Sequence, residues 1–289
     1  YYQIVRCMRD EDLRADRQPE FTQIDVEMAF VDEEDIQELI DRLLQRLFDE
    51  LLGVEVSLPI PRMKYDEAMS RYGSDRPDTR FDLFIRDVSE QAGATEFQVF
   101  SKTVESGGVV RGLCVPGGAS LSRKDIDGCE SIARSFGAKG LAWVKIQEEG
   151  AKGPIAKFLG ERGEASLREA FGAGEGDLLL MVADKALVAA TSLGEVRLHL
   201  GDKLDLIPEG RFDLLWVTDF PLLDWSEDDG RYHACHHPFT SPRLEDLELI
   251  EDDPGAVKAR AYDIILNGIE LGGGSIRIHS QDVQARVFK

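Results

Sequence analysis

The sequence predicts an α+β protein of two domains, and three observations lead there. Segments with apolar alternation are interleaved with segments of helical spacing. The texture of the chain changes near residue 83 and changes back near 208, bracketing an α+β stretch of ordinary domain size. Tight-turn dipeptides such as Asn267-Gly268 join strands directly into hairpins. A length of 289 residues agrees, since it exceeds what one core usually organises. The boundaries fall at 1–82, 83–208 and 209–289, with the middle region interrupting one domain made from the outer two.

From the N-terminus, a strand, a charged turn and a second strand over 22–31 come first. In the second strand Ile24, Val26, Met28 and Phe30 alternate with Gln23, Asp25 and Glu27, so one face is expected to pack and the other to line a pocket. Asp32 is placed as the N-cap of an amphipathic helix whose Ile36, Leu39, Ile40, Leu43, Leu47, Phe48 and Leu51 recur at helical spacing and which stops at Gly53. After Pro59 and Pro61 a short helix over 65–72 runs into the turn-rich stretch 73–78. The middle region reads as strands over 96–100, 141–146 and 178–182 alternating with helices over 124–136, 164–171 and 185–194. The third region resumes with a strand over 214–217, passes Asp219-Phe220-Pro221 and a histidine-rich stretch, and turns at Asp253-Pro254-Gly255. It closes with strands over 259–266 and 274–279 about the Asn267-Gly268 turn.

Composition narrows the function classes. Hydrophobic residues make up 43% and charged residues 31%, ordinary for a globular chain and far from the signature of disorder. The net charge of −21 argues against a surface that takes nucleic acid by bulk electrostatics, so any RNA contact has to be local. Cys7, Cys114, Cys129 and Cys235 are scattered without a CxxC pair, which suggests a reducing compartment. No apolar run approaches the roughly 20 residues that a bilayer crossing needs, and the first six residues lack the layout of a signal peptide. A cytoplasmic protein without a membrane partner is expected. The chain opens on Tyr1 and closes directly after an apparent strand (Val283, Ala285, Val287), so it is expected to be a piece of a longer polypeptide.

The chemistry concentrates in the stretch 9–25, where Arg9, Asp10, Glu11, Arg14, Arg17, Gln18 and Phe21 lie between two strands. Antiparallel pairing there would set Arg9 and Glu11 opposite Phe21, Gln23 and Asp25. Such a set suits a nucleotide: arginine gives a planar, permanently charged fork for phosphate or carboxylate, glutamate accepts from an exocyclic amine, and the aromatic ring offers a stacking face. Out of context the same run also fits a salt-bridged surface hairpin. His233, Cys235, His236 and His237 invite a zinc site, yet alternation separates His236 from the others and the spacing matches no standard structural site. Alternation also puts Ser275, Arg277 and His279 on one face, beside a Gly272-Gly273-Gly274 triplet that permits close backbone approach, though such triplets also serve as turns or bulges.

The run Cys7-Met8-Arg9-Asp10-Glu11 with Arg14 and Arg17-Gln18-Pro19-Glu20-Phe21-Thr22-Gln23 resembles motif 2 of class II aminoacyl-tRNA synthetases, and in detail that of bacterial-type aspartyl-tRNA synthetases, with Met8 where the family usually has Phe. Trp216-Val217-Thr218-Asp219-Phe220-Pro221 with His236-His237-Pro238-Phe239-Thr240 resembles the same family's catalytic core, as does Asn267-Gly268-Ile269-Glu270-Leu271 through Arg277. The middle region resembles the domain that bacterial aspartyl enzymes share with a subunit of the tRNA-dependent amidotransferase. Together these matches span nearly the whole chain.

The resemblance implies a class II synthetase-type antiparallel sheet with flanking helices, interrupted by a separate α+β insertion domain. It implies ATP, Mg²⁺ and L-aspartate, formation of aspartyl-adenylate, transfer to tRNA-Asp with tRNA-Asn left open, and a homodimer for the intact enzyme. Arg9 would bridge the α-phosphate and the reacting carboxylate as the catalytic group, Glu11 would meet the adenine amine, and Phe21 would stack on the ring. Asp10, Gln18 and Glu270 would also serve ATP, and Asp263 with Glu270 would hold Mg²⁺ through oxygen ligands. On the aspartate side stand Asp25 at the ammonium, His236, Arg9 and Arg277. Arg277 would select aspartate over asparagine, because an amide cannot accept both bonds of a guanidinium fork. The family's anticodon-binding barrel, motif 1 and motif 3 arginine are not found, so this piece alone is expected to be weak or inactive. Two rivals stay open: a non-charging paralogue that binds ATP and aspartate as a sensor, and a metal-dependent hydrolase built on the histidine cluster.

Overall fold

The computed structural model describes residues 1–10, 17–227 and 229–289. The chain folds as two compact units, one made of Tyr1–Arg62, Leu214–Ile265 and Ile269–Lys289, the other of Met63–Asp213 together with Leu266–Gly268. The fold is α+β with antiparallel sheets and helices.

The first unit opens with an antiparallel ribbon, β1 (Tyr2–Met8) and β2 (Glu20–Val26), whose register runs from Tyr2↔Val26 to Met8↔Glu20. The second strand stops at Val26 rather than 31, because Phe30 takes a left-handed φ of 62° as the chain turns into the next helix. The apolar side of β2 does not pack as alternation suggested. This two-stranded sheet leaves Ile24 56% exposed and Phe30 fully exposed, and Tyr2, Ile4 and Met8 on the same side are also exposed.

Helix α1 (Glu33–Leu52) has both predicted ends. At the start the Asp35 carboxylate accepts from the Asp32 N–H (2.9 Å), and at the end Gly53 (φ 64°) donates to the Asp49 carbonyl (3.0 Å). The apolar spacing holds in part: Phe48 is buried and Ile36, Ile40 and Leu43 are half-buried beside the buried Gln37 and Asp41, whereas Leu39, Leu47 and Leu51 are exposed. Asp41 is held there: its carboxylate accepts from the buried Trp216 indole N–H (2.7 Å) and the Ile60 N–H (3.2 Å), a satisfied polar anchor on the core side. Strand β3 (Arg62–Lys64) follows, beginning at the last residue of this segment of the unit.

The second unit carries α2 (Tyr65–Tyr72), β4 (Arg86–Asp87), α3 (Ser89–Gly93), α4 (Gln98–Glu105), β5 (Val109–Val115), α5 (Arg123–Ser135), β6 (Ala142–Gln147), β7 (Gly150–Lys152), α6 (Gly160–Phe171), β8 (Leu178–Asp184) and α7 (Ala186–Lys203). Its five strands pair antiparallel in the order β4-β5-β8-β6-β7. The central strand β8 is apolar from Leu178 to Ala183 because helices cover both faces. Leu178, Leu180 and Val182 pack with Ile126, Leu193 and Leu200, while Leu179 and Met181 pack with Phe100, Leu167 and Phe171. The predicted strand over 96–100 is instead the entry to α4. Phe97, Phe100 and Val104 follow helical spacing and pack together on one core, with Phe97 and Phe100 edge to face at 4.8 Å.

The first unit resumes with β9 (Leu214–Thr218), the hairpin β10 (Leu223–Ser226) and β11 (Arg231–Ala234), α8 (Leu249–Asp252), β12 (Ala261–Leu266), β13 (Ile269–Ser275) and α9 (Gln281–Phe288). The sheet order is β13-β12-β9-β3, with Trp216 of β9 edge-on to Tyr262 of β12 (5.8 Å) in its core. Asn267 (φ 52°) and Gly268 (φ 82°) make the tight turn between β12 and β13. The last strand therefore starts directly at the turn, at Ile269, not at 274. The apparent strand at 283–287 is helix α9: Val283 and Val287 stand four apart, and the Ser280 hydroxyl accepts from the Val283 N–H (3.5 Å) as its N-cap. Among the described residues no helix is long and apolar enough to cross a membrane.

Candidate active site

The odd-numbered face of the β1–β2 ribbon gathers Gln3, Val5, Cys7 and Arg9 with Phe21, Gln23 and Asp25. The Arg9 N–H donates to the Pro19 carbonyl (2.9 Å), so Arg9 lies opposite Pro19 and not Phe21, while Phe21, Gln23 and Asp25 pair with Cys7, Val5 and Gln3. The expected opposition was thus two residues out of register. Side chains two positions apart on one face still meet across a ribbon. The Arg9 guanidinium carbon lies 5.2 Å from the Phe21 ring centroid, a cation–π contact that pre-sets both groups. Asp25 accepts from the Gln3 carboxamide (3.4 Å), and the Cys7 thiol donates to Gln23 (3.1 Å). Asp10 and Gln18 are exposed, and Glu11 lies outside the described residues.

Two features relate this ribbon to the segment that carries Glu270 and Arg277. At the loop end, Arg17 donates to the Glu270 carboxylate at 2.9 Å, with both side chains about one-third exposed. At the far end, Glu27, just past β2, lines an open cavity of about 580 Å³ together with Arg277, His237, Phe239, Ile278 and Gln284. Arg277 is exposed and held by the bridge of its backbone to Thr240. Between these points the glycine triplet is shaped by its neighbours. A Cβ at Gly273 would fall 2.1 Å from the Asp263 Oδ1, and one at Gly274 would fall 2.8 Å from the Tyr262 ring. Gly272 meets nothing within 4 Å.

Asp263 and Glu270 supply carboxylate oxygens, Glu270 already accepts a cationic partner, and Gly273 gives the Asp263 carboxylate the space that any side chain would take. The histidine-rich stretch is arranged otherwise. His233 pairs with Asp229 (2.9 Å), the His236 ring packs edge-on to Phe220 (4.7 Å), and His237 accepts from the Phe239 N–H (3.2 Å). Cys235 is exposed. Among the described residues no group of three or more His, Cys, Asp or Glu is placed to hold a metal ion.

The family model described as tRNA synthetases class II (D, K and N) matches residues 1–289, the whole chain. The chain belongs to the class II tRNA synthetases. It is 57% identical over 289 residues to the aspartate–tRNA(Asp/Asn) ligase of Bacillus subtilis (strain 168), and 55% identical over 290 residues to those of Bacillus anthracis (strain A0248) and Bacillus cereus (strain B4264). Each match covers 100% of this chain and 49% of the relative, so the chain spans about half the length of the curated relatives it matches.

In this class II synthetase chain the structure also adds residues that sequence reasoning passed over. Arg17 was read only as part of the motif, since nothing local indicates that it reaches a carboxylate 253 positions away. A second cavity, of about 400 Å³, opens at the start of α1 between Glu33, Gln37, Arg62, Arg243, Arg260 and Tyr262. Arg260 donates to Glu33 (2.9 Å) and Asp32 (2.7 Å), and Arg243 donates to Asp219 (2.6 Å). Burial alone would raise the Glu33 carboxyl, but the bonds and charge of Arg260 more than offset it and hold the group below its ordinary value. The same pairing raises the Arg260 guanidinium.

Proposed function

We propose that the protein to which this chain belongs activates L-aspartate with ATP to aspartyl-adenylate and transfers it to tRNA, as an aspartate–tRNA ligase. The names of its relatives extend this proposal to both tRNA-Asp and tRNA-Asn. One observation supports the reading most: the ribbon bearing Arg9, Phe21 and Asp25 is tied at its loop end to Glu270 through Arg17, and Glu27, just past its other end, lines a cavity with Arg277. We assign 1–82 and 209–289 to the catalytic core and 83–208 to the insert, and take the working protein as a cytoplasmic homodimer.

In this mechanism a carboxylate oxygen of aspartate attacks the α-phosphorus, the bond to the leaving pyrophosphate breaks, and no protein group forms a covalent bond. The protein's share is therefore positioning and charge neutralisation. Arg9 spans the α-phosphate and the attacking carboxylate, and its cation–π contact with Phe21 yields to adenine stacking on that ring. Glu11, Asp10 and Gln18 complete the ATP contacts. Asp25 and His236 hold the aspartate ammonium and backbone end, and Arg277 forks onto the side-chain carboxylate. Asp263 and Glu270 would hold Mg²⁺ through their carboxylate oxygens, and the ion would supply positive charge to the phosphates; in this structure Glu270 is paired with Arg17.

The test is aspartate-dependent exchange of pyrophosphate into ATP by the full-length protein. Arg277→Leu is expected to lower kcat/KM for L-aspartate by on the order of 10³ or more while ATP affinity stays within about threefold, because the side-chain carboxylate of aspartate loses its bidentate partner. Equal loss for both ligands would reject the role of Arg277, and no exchange in the parent protein would reject the reading itself.

A further inference from the structure

Asn267 sits at the tip of the β12–β13 hairpin, whose strands belong to the first unit apart from Leu266. The tip itself, Leu266–Gly268, is part of the second unit. A type I′ turn asks only for left-handed φ at its two central residues, which Asn267 and Gly268 provide. The Asn267 side chain does more than the turn requires. Its Oδ1 accepts from the Asp213 N–H (2.8 Å) and its Nδ2 donates to the Arg211 carbonyl (2.9 Å), while the backbone N–H donates to the Asp213 carbonyl (3.1 Å).

The receiving residues are themselves held. The Arg211 guanidinium forks onto Asp213 with both bonds at 2.8 Å, Thr79 donates to the same carboxylate (3.2 Å), and Arg211 also donates to the Arg80 carbonyl (3.3 Å). Arg80 in turn forks onto the buried Asp78 at 2.9 and 2.6 Å. At Gly268 a Cβ would stand 3.2 Å from the Asp78 Cβ, so the tip lies against this segment without slack. Behind it, the fully buried Arg197 of α7 donates to the carbonyls of Asp78 (3.0 Å), Phe81 (2.7 Å) and Leu83 (2.9 Å), with its guanidinium 3.9 Å from the Phe81 ring centroid. Phe81 and Leu83 pack into the core with Leu193 and Leu200. An unbroken series of bonds thus runs from the core of the second unit to the hairpin tip.

We propose that Asn267 is a positioning residue for Asp263 and Glu270: the second unit fixes the turn through the Asn267 carboxamide, and the turn fixes by chain connectivity the strands that carry both carboxylates. This rests on the reading of that hairpin as the ATP and Mg²⁺ site. It gives the second unit, of which Arg211 and Asp213 are part, a bearing on the chemistry although it contributes no group to the reaction.

Asn267→Gly is the discriminating variant, because glycine keeps the left-handed turn and removes only the carboxamide. In the full-length protein, kcat/KM for ATP in aspartate-dependent pyrophosphate exchange is expected to fall about tenfold, the factor that losing two ordinary hydrogen bonds implies. The KM for L-aspartate should move much less. Without substrates, hydrogen–deuterium exchange of the amides over 261–275 should speed up while that of Leu178–Asp184 stays as in the parent. Asn267→Asp, which keeps an acceptor but places a second carboxylate beside Asp213, should lose at least as much. Parental kinetics together with parental amide exchange in Asn267→Gly would overturn the proposal, and so would exchange that speeds up equally throughout the second unit. A parent protein without aspartate-dependent exchange would reject the functional reading instead, and the amide-exchange comparison would still decide the clamp.

Discussion

Replacing Asp41 by alanine in the 289-residue chain should cost far more stability than replacing Leu51, although hydrophobicity alone ranks them the other way. Asp41 is 3% exposed and takes the Trp216 indole N–H at 2.7 Å and the Ile60 N–H at 3.2 Å. Trp216 and Ile60 are themselves 2% and 1% exposed, so neither donor has bulk water to turn to once the carboxylate is gone. An orphaned buried donor costs roughly 1–3 kcal/mol, which places Asp41→Ala at about 2–6 kcal/mol, with water entering the vacated space accounting for the lower part of that range. Asp41→Asn keeps one acceptor and turns an N–H₂ toward the other donor, for roughly half that loss. Leu51 is 74% exposed, and its truncation should stay within about 0.5 kcal/mol. Urea unfolding followed by tryptophan fluorescence reads the difference, with the transitions of the two units fitted separately because they need not unfold together. A loss below about 1 kcal/mol for Asp41→Ala, or a larger loss for Leu51→Ala, would refute the orientation of α1 and its polar anchor.

Gly273→Ala should drive the Asp263 carboxylate from its place, since the new methyl would lie 2.1 Å from Oδ1, and ATP-dependent exchange should drop by on the order of 10². Gly272→Ala, which meets nothing within 4 Å, is the matched control and should behave like the parent. The Glu33 carboxyl is held below its ordinary value of 4.5, so its pairing with Arg260 contributes stability that is fully present above that value and is lost as pH falls through the lowered one. Unfolding curves of the parent and Glu33→Gln should therefore differ by a constant amount near neutrality and converge in acid; a gap that widens on acidification would contradict the assignment. Cys129, 1% exposed and with its thiol pushed up to about 11 by burial, should alkylate at pH 8 many times more slowly than a free cysteine, as mass spectrometry of iodoacetamide-treated protein can show.

Much of the molecule follows from local chemistry that the sequence displays. Asp32 and Gly53 bound α1 because capping is a property of a few consecutive residues, and Asn267-Gly268 makes its hairpin because both residues tolerate a left-handed backbone. The family was equally legible, since motif 2 and the Glu270 to Arg277 run are contiguous stretches. What failed was anything that depends on a distant partner. Periodicity gave α1 an apolar face, of which Phe48, Ile36, Ile40 and Leu43 turn at least partly inward, but that Asp41 is buried among them depends on a tryptophan 175 positions away that needs an acceptor. Alternation in 283–287 fits a strand as well as a helix, and the Ser280 cap settled it. The register that seats Arg9 over Phe21, the reach of Arg17 to Glu270, and the grip of Asn267 on Asp213 are set by packing and hydrogen bonds between segments far apart in the chain. Spacing along a single sequence carries no term for such pairings.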